Sequence, residues 1–182
     1  PLIDAVVDYL PAPNEVPVPV GVHVKKDKEE NVEVPCDASK PAVGLVFKIQ
    51  YDREMGAMCY VRMYSGKIAA GTQVFNVGKH KRERVNRILR MHADKSESIN
   101  EVAAGDIAVF IGFKLAQTGD SVGSEGFPVL LEKPVFPQPV ISVALEPESI
   151  AERGKMNETL EILSREDPTF THHEDAETGQ LI

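Results

Sequence analysis

Cysteines are few in this 182-residue sequence, which contains two of them, Cys36 and Cys59. A disulfide framework or a zinc site needs more thiols at closer spacing, so we expect both residues to be reduced thiols of a cytosolic protein. The sequence also lacks a run of about 18 apolar residues, which predicts that no helix spans a membrane. No signal peptide opens the chain, and its start at Pro1 without a methionine suggests an excised part of a longer protein.

Phosphate-binding motifs are missing as well. The sequence contains neither G-x-x-x-x-G-K-S/T nor G-x-G-x-x-G. Residues 120–123, DSVG, fit the D-x-x-G motif by which a GTPase senses the γ-phosphate, but this match has no weight without a phosphate loop. We therefore expect no nucleotide and no other cofactor to bind this chain.

Catalytic and metal-binding patterns are not recognisable either. His172 and His173 precede Glu174 and Asp175, but neighbouring side chains of a strand point to opposite faces and cannot hold one metal ion. No Ser-His-Asp or Cys-His arrangement has local support, and Cys59 lies in an apolar strand, where we expect it to pack as a hydrophobic residue. The sequence predicts neither a metal site nor an active site.

Charge is distributed unevenly along the chain. The formal net charge is −8, with 20 Lys and Arg residues against 28 Asp and Glu residues. Residues 37–92 carry eleven of these cations and four of the acids, so this region has a charge of +7 and the remainder of the chain −15. A basic block inside an acidic protein indicates a surface for an anionic partner.

The basic block is densest at residues 79–90, KHKRERVNRILR, with six cations and one acid. One interpretation is a turn and strand with a solvated face. The other is a surface for RNA phosphates, since each cation along a strand edge can displace a counterion; its candidate residues are Lys79, Lys81, Arg82 and Arg84. Few aromatic residues accompany these cations, which favours recognition of folded RNA over stacking on single-stranded bases.

The pattern of the first 133 residues predicts a helix, a linker and a β-domain. Residues 1–10 have the apolar spacing of a helix, and residues 11–41 are a proline-rich linker or surface segment with at most one short strand at 20–24. Residues 42–133 contain five or more short strands separated by glycine-containing turns, which is typical of an antiparallel barrel or sandwich. Within them, residues 83–92 alternate as one strand.

The remaining residues predict a second unit. Residues 134–139 contain three prolines and predict a hinge. Residues 140–182 predict a strand, a helix that begins after Ser149 and ends before Pro168, and two further strands, the last of them unfinished. This order is the first half of a split β-α-β fold, so the predicted fold class is mainly β: a barrel followed by an incomplete ferredoxin-like α/β half-domain.

The predicted helix presents Met156, Leu160 and Leu163 on one face. The half-domain lacks the elements that would cover this face, and three or four uncovered large side chains forfeit roughly 1.5–3 kcal/mol each. We expect the face to be covered by the barrel, by residues 11–41 or by a second copy of the chain, for which residues 178–182 offer an edge strand.

Several stretches, taken in order, resemble elongation factor G. They are PLIDAVVDYLPAPNEVP, YVRMYSGKIAAGTQVFN, ERVNRILRMHAD, INEVAAGDIAVFIGFKLAQTGD, VFPQPVISVALEP, LSREDPTF and ETGQ. The first resembles the end of that family's GTPase domain, the next three its second domain, a translation-factor-type β-barrel, and the rest its third domain. The resemblance covers almost the whole chain.

The resemblance implies a cytoplasmic function on the ribosome, the GTP-driven movement of tRNA and mRNA. It implies that the barrel docks on small-subunit ribosomal RNA through two turns, one with Asp52, Arg53 and Gly56 and the other with Ala104 and Gly105. GTP and Mg²⁺ would bind the GTPase domain, a partner that this sequence does not contain.

The third-domain segment resembles one wall of the fusidic acid pocket, with Pro137, Pro139, Asp167 and Thr169 at matching positions. Two alternatives stay open. The chain could be part of a ribosomal protection protein or of a recycling-type paralogue. It could also act by itself, as an RNA-binding barrel or as an enzyme whose site is not recognisable in the sequence.

Overall fold

The computed structural model describes residues 1–25, 28–93, 95–136, 140–147, 149–175 and 180–182, which form antiparallel sheets and two helices. Helix α1 spans Leu2–Tyr9 and helix α2 spans Ile150–Glu166. The strands are β1 (Val20–Lys25), β2 (Lys28–Glu33), β3 (Val43–Asp52), β4 (Gly56–Ser65), β5 (Lys67–Ala69), β6 (Gln73–Asn76), β7 (Lys81–Arg84), β8 (Arg87–His92), β9 (Lys95–Ile99), β10 (Glu101–Ala103), β11 (Ile107–Ile111), β12 (Ser121–Gly123) and β13 (Val129–Leu130).

Eight strands form one antiparallel sheet in the order β7-β6-β12-β3-β4-β11-β8-β9. The strands β7 and β8 follow each other directly in the chain, yet β7 pairs with β6 at one side of this order and β8 pairs with β11 near the other. Val85 and Asn86, which join them, make backbone hydrogen bonds to Gly71, Thr72 and Ile111. The sheet therefore closes on itself, which confirms the prediction of a mainly β chain with a barrel.

The core of the barrel is filled by alternate residues of each strand. In β4, Cys59, Val61 and Met63 are buried in the main cluster. Phe110 is 0% exposed and meets Phe113 edge to face, with ring centroids 5.7 Å apart. Fully burying a side chain of this kind stabilises the fold by about 1.5–3 kcal/mol, so the closed core is a main source of the stability of the barrel.

The prediction of one continuous strand over residues 83–92 is wrong, because Val85 and Asn86 interrupt it. Val85 and Ile88 are three positions apart and both lie in the barrel core. Leu89 belongs instead to a separate apolar cluster on the other face of the sheet. The interruption changes the alternation of inward and outward side chains between β7, which pairs with β6, and β8, which pairs with β11. The chain passes here from one side of the sheet order to the other, and this passage closes the barrel.

Residues 11–41 are more structured than the prediction of at most one short strand. The strands β1 and β2 form a hairpin, and β13 pairs with β1 on its other side. Val34, which follows this hairpin, is 1% exposed and packs with Val43, Leu45 and Val129. The sequence of β2, KEENVE, does not indicate a strand because its exposed face is charged; pairing with β1 and the packing of Val32 against the cluster of Val34 stabilise it.

The region after residue 139 contains less sheet than predicted. Helix α2 follows Ser149 and ends before Asp167, as expected, although no side-chain hydrogen bond from Ser149 caps it. The predicted strand over residues 140–145 is wrong: in the described part of this region, Leu145 meets Leu181 at an isolated bridge, while residues 173–175 and 180–182 exchange three backbone hydrogen bonds. A ladder needs a neighbouring strand along its length, and one-residue bridges do not provide it.

The apolar face of α2 is only partly covered. Leu160 is 5% exposed, Met156 is half-buried and Leu163 is 40% exposed. The helix packs against β3, and cover of the apolar face by the barrel stays a prediction. Association with a second copy of the chain stays a prediction.

Candidate nucleic-acid interface

The densest cations lie on the hairpin of β6 and β7. In β7, Lys81, Arg82 and Arg84 are exposed, whereas Glu83 between them is buried. Because successive side chains of a strand alternate, Arg82 and Arg84 share the outer face. Lys79, in the turn that joins the two strands, extends the cationic row. The structure therefore places on one hairpin the four cations predicted from the sequence.

Arg82 differs from its neighbours because it is already paired. Its Nε and Nη2 atoms donate to the two carboxylate oxygens of Glu125, both at 2.8 Å. This hydrogen bonding lowers the pKa of the Glu125 carboxyl and raises the pKa of the Arg82 guanidinium. Such a bidentate pair offsets the charge of Arg82 and leaves fewer donors for another anion.

The remaining cations of the hairpin have no such partner. Within the described ranges, neither Lys81 nor Arg84 forms an ion pair with a carboxylate. The ammonium of Lys79 donates to the amide oxygen of Gln117, which is neutral and leaves the charge uncompensated. Lys79, Lys81 and Arg84 are therefore the cations available to a phosphate.

A buried acid beneath the hairpin fixes the loop that follows β11. Glu83 is 5% exposed, and its Oε2 accepts hydrogen bonds from the amides of Lys114 and Leu115 at 2.6 and 2.9 Å. Asn76 Nδ2 donates to Glu83 Oε1 at 3.3 Å and to Asp120 Oδ2 at 2.9 Å. This network is not predicted from the sequence, where its one signal is a lone acid in a basic run. A buried carboxylate requires such hydrogen bonds to offset its lost hydration.

The turn between β3 and β4 is fixed by its own side chains. Asp52 Oδ1 accepts the amides of Glu54 and Met55, each at 2.9 Å, and these bonds, that of Met55 first, lower the pKa of the Asp52 carboxyl. Met55 packs against the outer apolar cluster, and Gly56 has a φ of 74°, which favours glycine. Arg53 is thus exposed at the tip of an ordered turn.

The turn between β10 and β11 is engaged within the protein. The amides of Ala104 and Gly105 donate to the carbonyl oxygens of Gly66 and Met63 at 2.8 and 2.9 Å. Gly105 has a φ of 91°, and a Cβ there would lie 3.3 Å from Cys36 Sγ. Both residues are half-buried, so this turn presents less free surface than the turn at 52–56.

The two predicted turns lie at opposite ends of the barrel. β11 runs antiparallel to β4, with Ile111 beside Met58 and Ile107 beside Arg62. Residues 52–56 precede β4 and residues 103–106 precede β11, so about 20 Å of extended strand separates them. The structure does not bring these two predicted contacts together.

The basic hairpin lies at the same end as the turn at 52–56. The amide of Asn86, two residues after Arg84, donates to the carbonyl of Ile111, the last residue of β11. The basic surface is defined here as Lys79, Lys81, Arg84 and residues 52–56.

The structure describes only some of the residues that were matched to a fusidic acid pocket. Asp167 Oδ1 accepts the amide and the hydroxyl of Thr169 at 2.8 and 2.7 Å, and these bonds lower the pKa of the Asp167 carboxyl. Pro137 and Pro139 lie outside the described residues. The wall of the pocket therefore stays a prediction.

Catalytic chemistry finds no support in the described residues. Burial raises the pKa of the Cys59 thiol to about 12, so Cys59 is a neutral core residue, as predicted. Among the residues that the structure describes, no group of three or more His, Cys, Asp or Glu side chains could hold a metal ion. In the same ranges, no helix combines the length and apolar composition that crossing a membrane requires.

Comparison with known proteins identifies both parts of the chain. The family model for elongation factor G domain 2 matches residues 41–125, and the model for elongation factor G domain III matches residues 136–182. Elongation factor G 1 of Treponema denticola is 66% identical over all 182 residues, and elongation factor G 2 of Treponema pallidum is 60% identical. The chain spans 26% of the length of each of these two relatives.

The fold agrees with a solved structure from Thermus thermophilus, with a TM-score of 0.70 at 23% sequence identity. That match covers 100% of this chain and 24% of the other. The two family models lie in the order in which the sequence resembles the second and third domains. The chain belongs to the elongation factor G family and carries sequence of its domain 2 and its domain III.

Proposed function

We propose that this chain supplies the ribosome-docking part of a translation elongation factor that promotes the movement of tRNA and mRNA. The observation that carries the proposal is the basic surface, where three uncompensated cations lie at the same end of the barrel as an ordered, exposed turn. Membership of the elongation factor G family supports a function in translation.

Small-subunit ribosomal RNA is the partner that this chemistry fits. Cations spaced along a strand bind phosphates at the spacing of a folded backbone, and each contact releases a counterion. Arg53 adds a guanidinium at the tip of the turn, which suits bidentate phosphate binding. The turn with Ala104 and Gly105 would contact a second RNA segment, because it lies at the other end of the barrel.

The chain itself is proposed to be non-catalytic. We propose that GTP and Mg²⁺ bind a separate GTPase domain, which is its intramolecular partner, and that the chain acts with ribosomes in the cytoplasm. Isothermal titration of the chain with GTP should give no binding heat. A micromolar dissociation constant for GTP would contradict this part of the proposal.

The test of RNA binding is a salt series with purified small ribosomal subunits. Charge reversal at two uncompensated cations, Lys81→Glu with Arg84→Glu, should weaken binding and flatten the salt slope by about 0.7–0.9 for each lost phosphate contact. The matched control reverses two exposed cations elsewhere, Lys95 and Lys155, with the same change in net charge. Equal effects of the two double variants on affinity and salt slope would mean that the basic surface is a solvated face without specific RNA contacts.

A further inference from the structure

The C-terminal end of α2 contacts the strand end that leads into the turn of the basic surface. The Glu166 carboxylate accepts a hydrogen bond from the amide of Tyr51, the residue that immediately precedes Asp52. β12 pairs with β3 at Val43–Leu45, near the opposite end of β3, so α2 and not β12 lies against the edge of β3 at Tyr51. The C-terminal end of α2 is therefore hydrogen-bonded to the end of β3 that leads into the turn at 52–56.

Arg165, the residue of α2 next to Glu166, contacts the loop after β11, a second element at the same end of the barrel. Arg165 Nε and Nη2 donate to the carbonyl oxygens of Ala116 and Phe113 at 3.3 and 3.4 Å. These carbonyls belong to the loop whose amides, at Lys114 and Leu115, are held by Glu83 of the basic strand β7. One loop thus lies between the end of α2 and the strand that carries Lys81 and Arg84.

We propose that Arg165 and Glu166 are positioning residues that couple the docking of α2 to the geometry of the basic surface. The two residues are adjacent, and each bonds a different element next to that surface: Glu166 bonds the strand end before the turn, and Arg165 bonds the loop held by Glu83. Coupling of this kind is reciprocal: a ligand that binds the ordered surface more tightly also favours docked α2 by the same factor. The RNA part of this inference rests on the proposed function, whereas the positioning part does not.

Amide hydrogen exchange of the whole chain without RNA tests the positioning. Glu166→Ala should speed exchange at Tyr51 and in the turn at 52–56 by about tenfold, the value of one charge-assisted hydrogen bond. Arg165→Ala should do the same at Lys114 and Leu115. Glu166→Gln, which keeps an oxygen acceptor for the Tyr51 amide, should restore protection, and Glu161→Ala, an exposed acid on the same helix, is the matched control.

Exchange at the amides of the buried strands β4 and β11 monitors folding, and it should be unchanged in every variant. Unchanged exchange at Tyr51 and at 53–56 in Glu166→Ala, relative to the control, would overturn the inference. General acceleration that includes β4 and β11 would also overturn it, because it would mean lost stability and not lost positioning.

Binding to purified small ribosomal subunits tests the coupling. Glu166→Ala should weaken binding by about fivefold, the lower end of typical couplings, with an unchanged salt slope because no phosphate contact is lost. Unchanged affinity together with faster exchange would overturn the coupling. If the unaltered chain does not bind the subunits, the proposed function fails, and the exchange experiment alone decides whether α2 positions the surface.

Discussion

The barrel and residues 140–145 both contain apolar, β-branched runs, yet only the runs of the barrel are buried. Val46 and Val61 of the barrel are 0% exposed, whereas Val140 is 94% exposed. Each barrel strand has neighbours along its length because the sheet closes, while the segment from 140 to 145 has one bridge to the rest of the described residues, at Leu145. An apolar, β-branched run therefore forms a strand only where partners satisfy its backbone groups.

The largest expected effect is the difference in lost stability between a core substitution in the barrel and one in α2. Phe110→Ala removes a fully buried ring from the barrel and should lower the free energy of unfolding by about 3–5 kcal/mol. Leu163→Ala in α2 removes a side chain that is 40% exposed and should cost under about 1 kcal/mol. Urea unfolding measures both values. Comparable losses would show that α2 belongs to the same cooperative core as the barrel.

A smaller effect is expected from the buried acid of β7. Glu83→Ala removes the buried acceptor of the part-buried amides of Lys114 and Leu115 and should cost about 1–3 kcal/mol, measured by the same urea unfolding. Glu161→Ala, an exposed acid in α2, is the control and should change stability by under about 0.5 kcal/mol. An unchanged free energy of unfolding in Glu83→Ala would mean that the loop after β11 is held by other contacts.

The smallest expected effect concerns the carboxyl pKa of one aspartate in each region. Asp52 in the barrel and Asp167 after α2 both accept hydrogen bonds from residues that follow them, which lowers both pKa values from 3.8. A lowered pKa stabilises the fold at pH values above 3.8, and this contribution is lost as the pH falls through the lower, folded-state pKa. Carboxyl titration by NMR should place both midpoints below 3.8. A midpoint at or above 3.8 for either would show that its turn does not persist in solution.

The barrel could be predicted from the sequence because alternating apolar residues and glycine-containing turns are local signals. The cations of β7 could be selected for the same reason. The hairpin of β1 and β2 could not be predicted, since its second strand is charged and its first strand pairs with the distant β13. The burial of Glu83, the pairing of Arg82 with Glu125, and the separation of the turns at 52–56 and 103–106 all depend on the register of strands far apart in sequence, which local patterns do not contain.

The most direct measurement of the central claim, that the basic surface binds RNA phosphates, is the salt dependence of Glu125→Gln binding to small ribosomal subunits. This change removes the carboxylate that occupies Arg82 and should make Arg82 available to the RNA. We predict tighter binding and a salt slope steeper by about 0.7–0.9, an increase that partial unfolding cannot produce. Unchanged or weaker binding with an unchanged slope would contradict the claim that this surface contacts RNA.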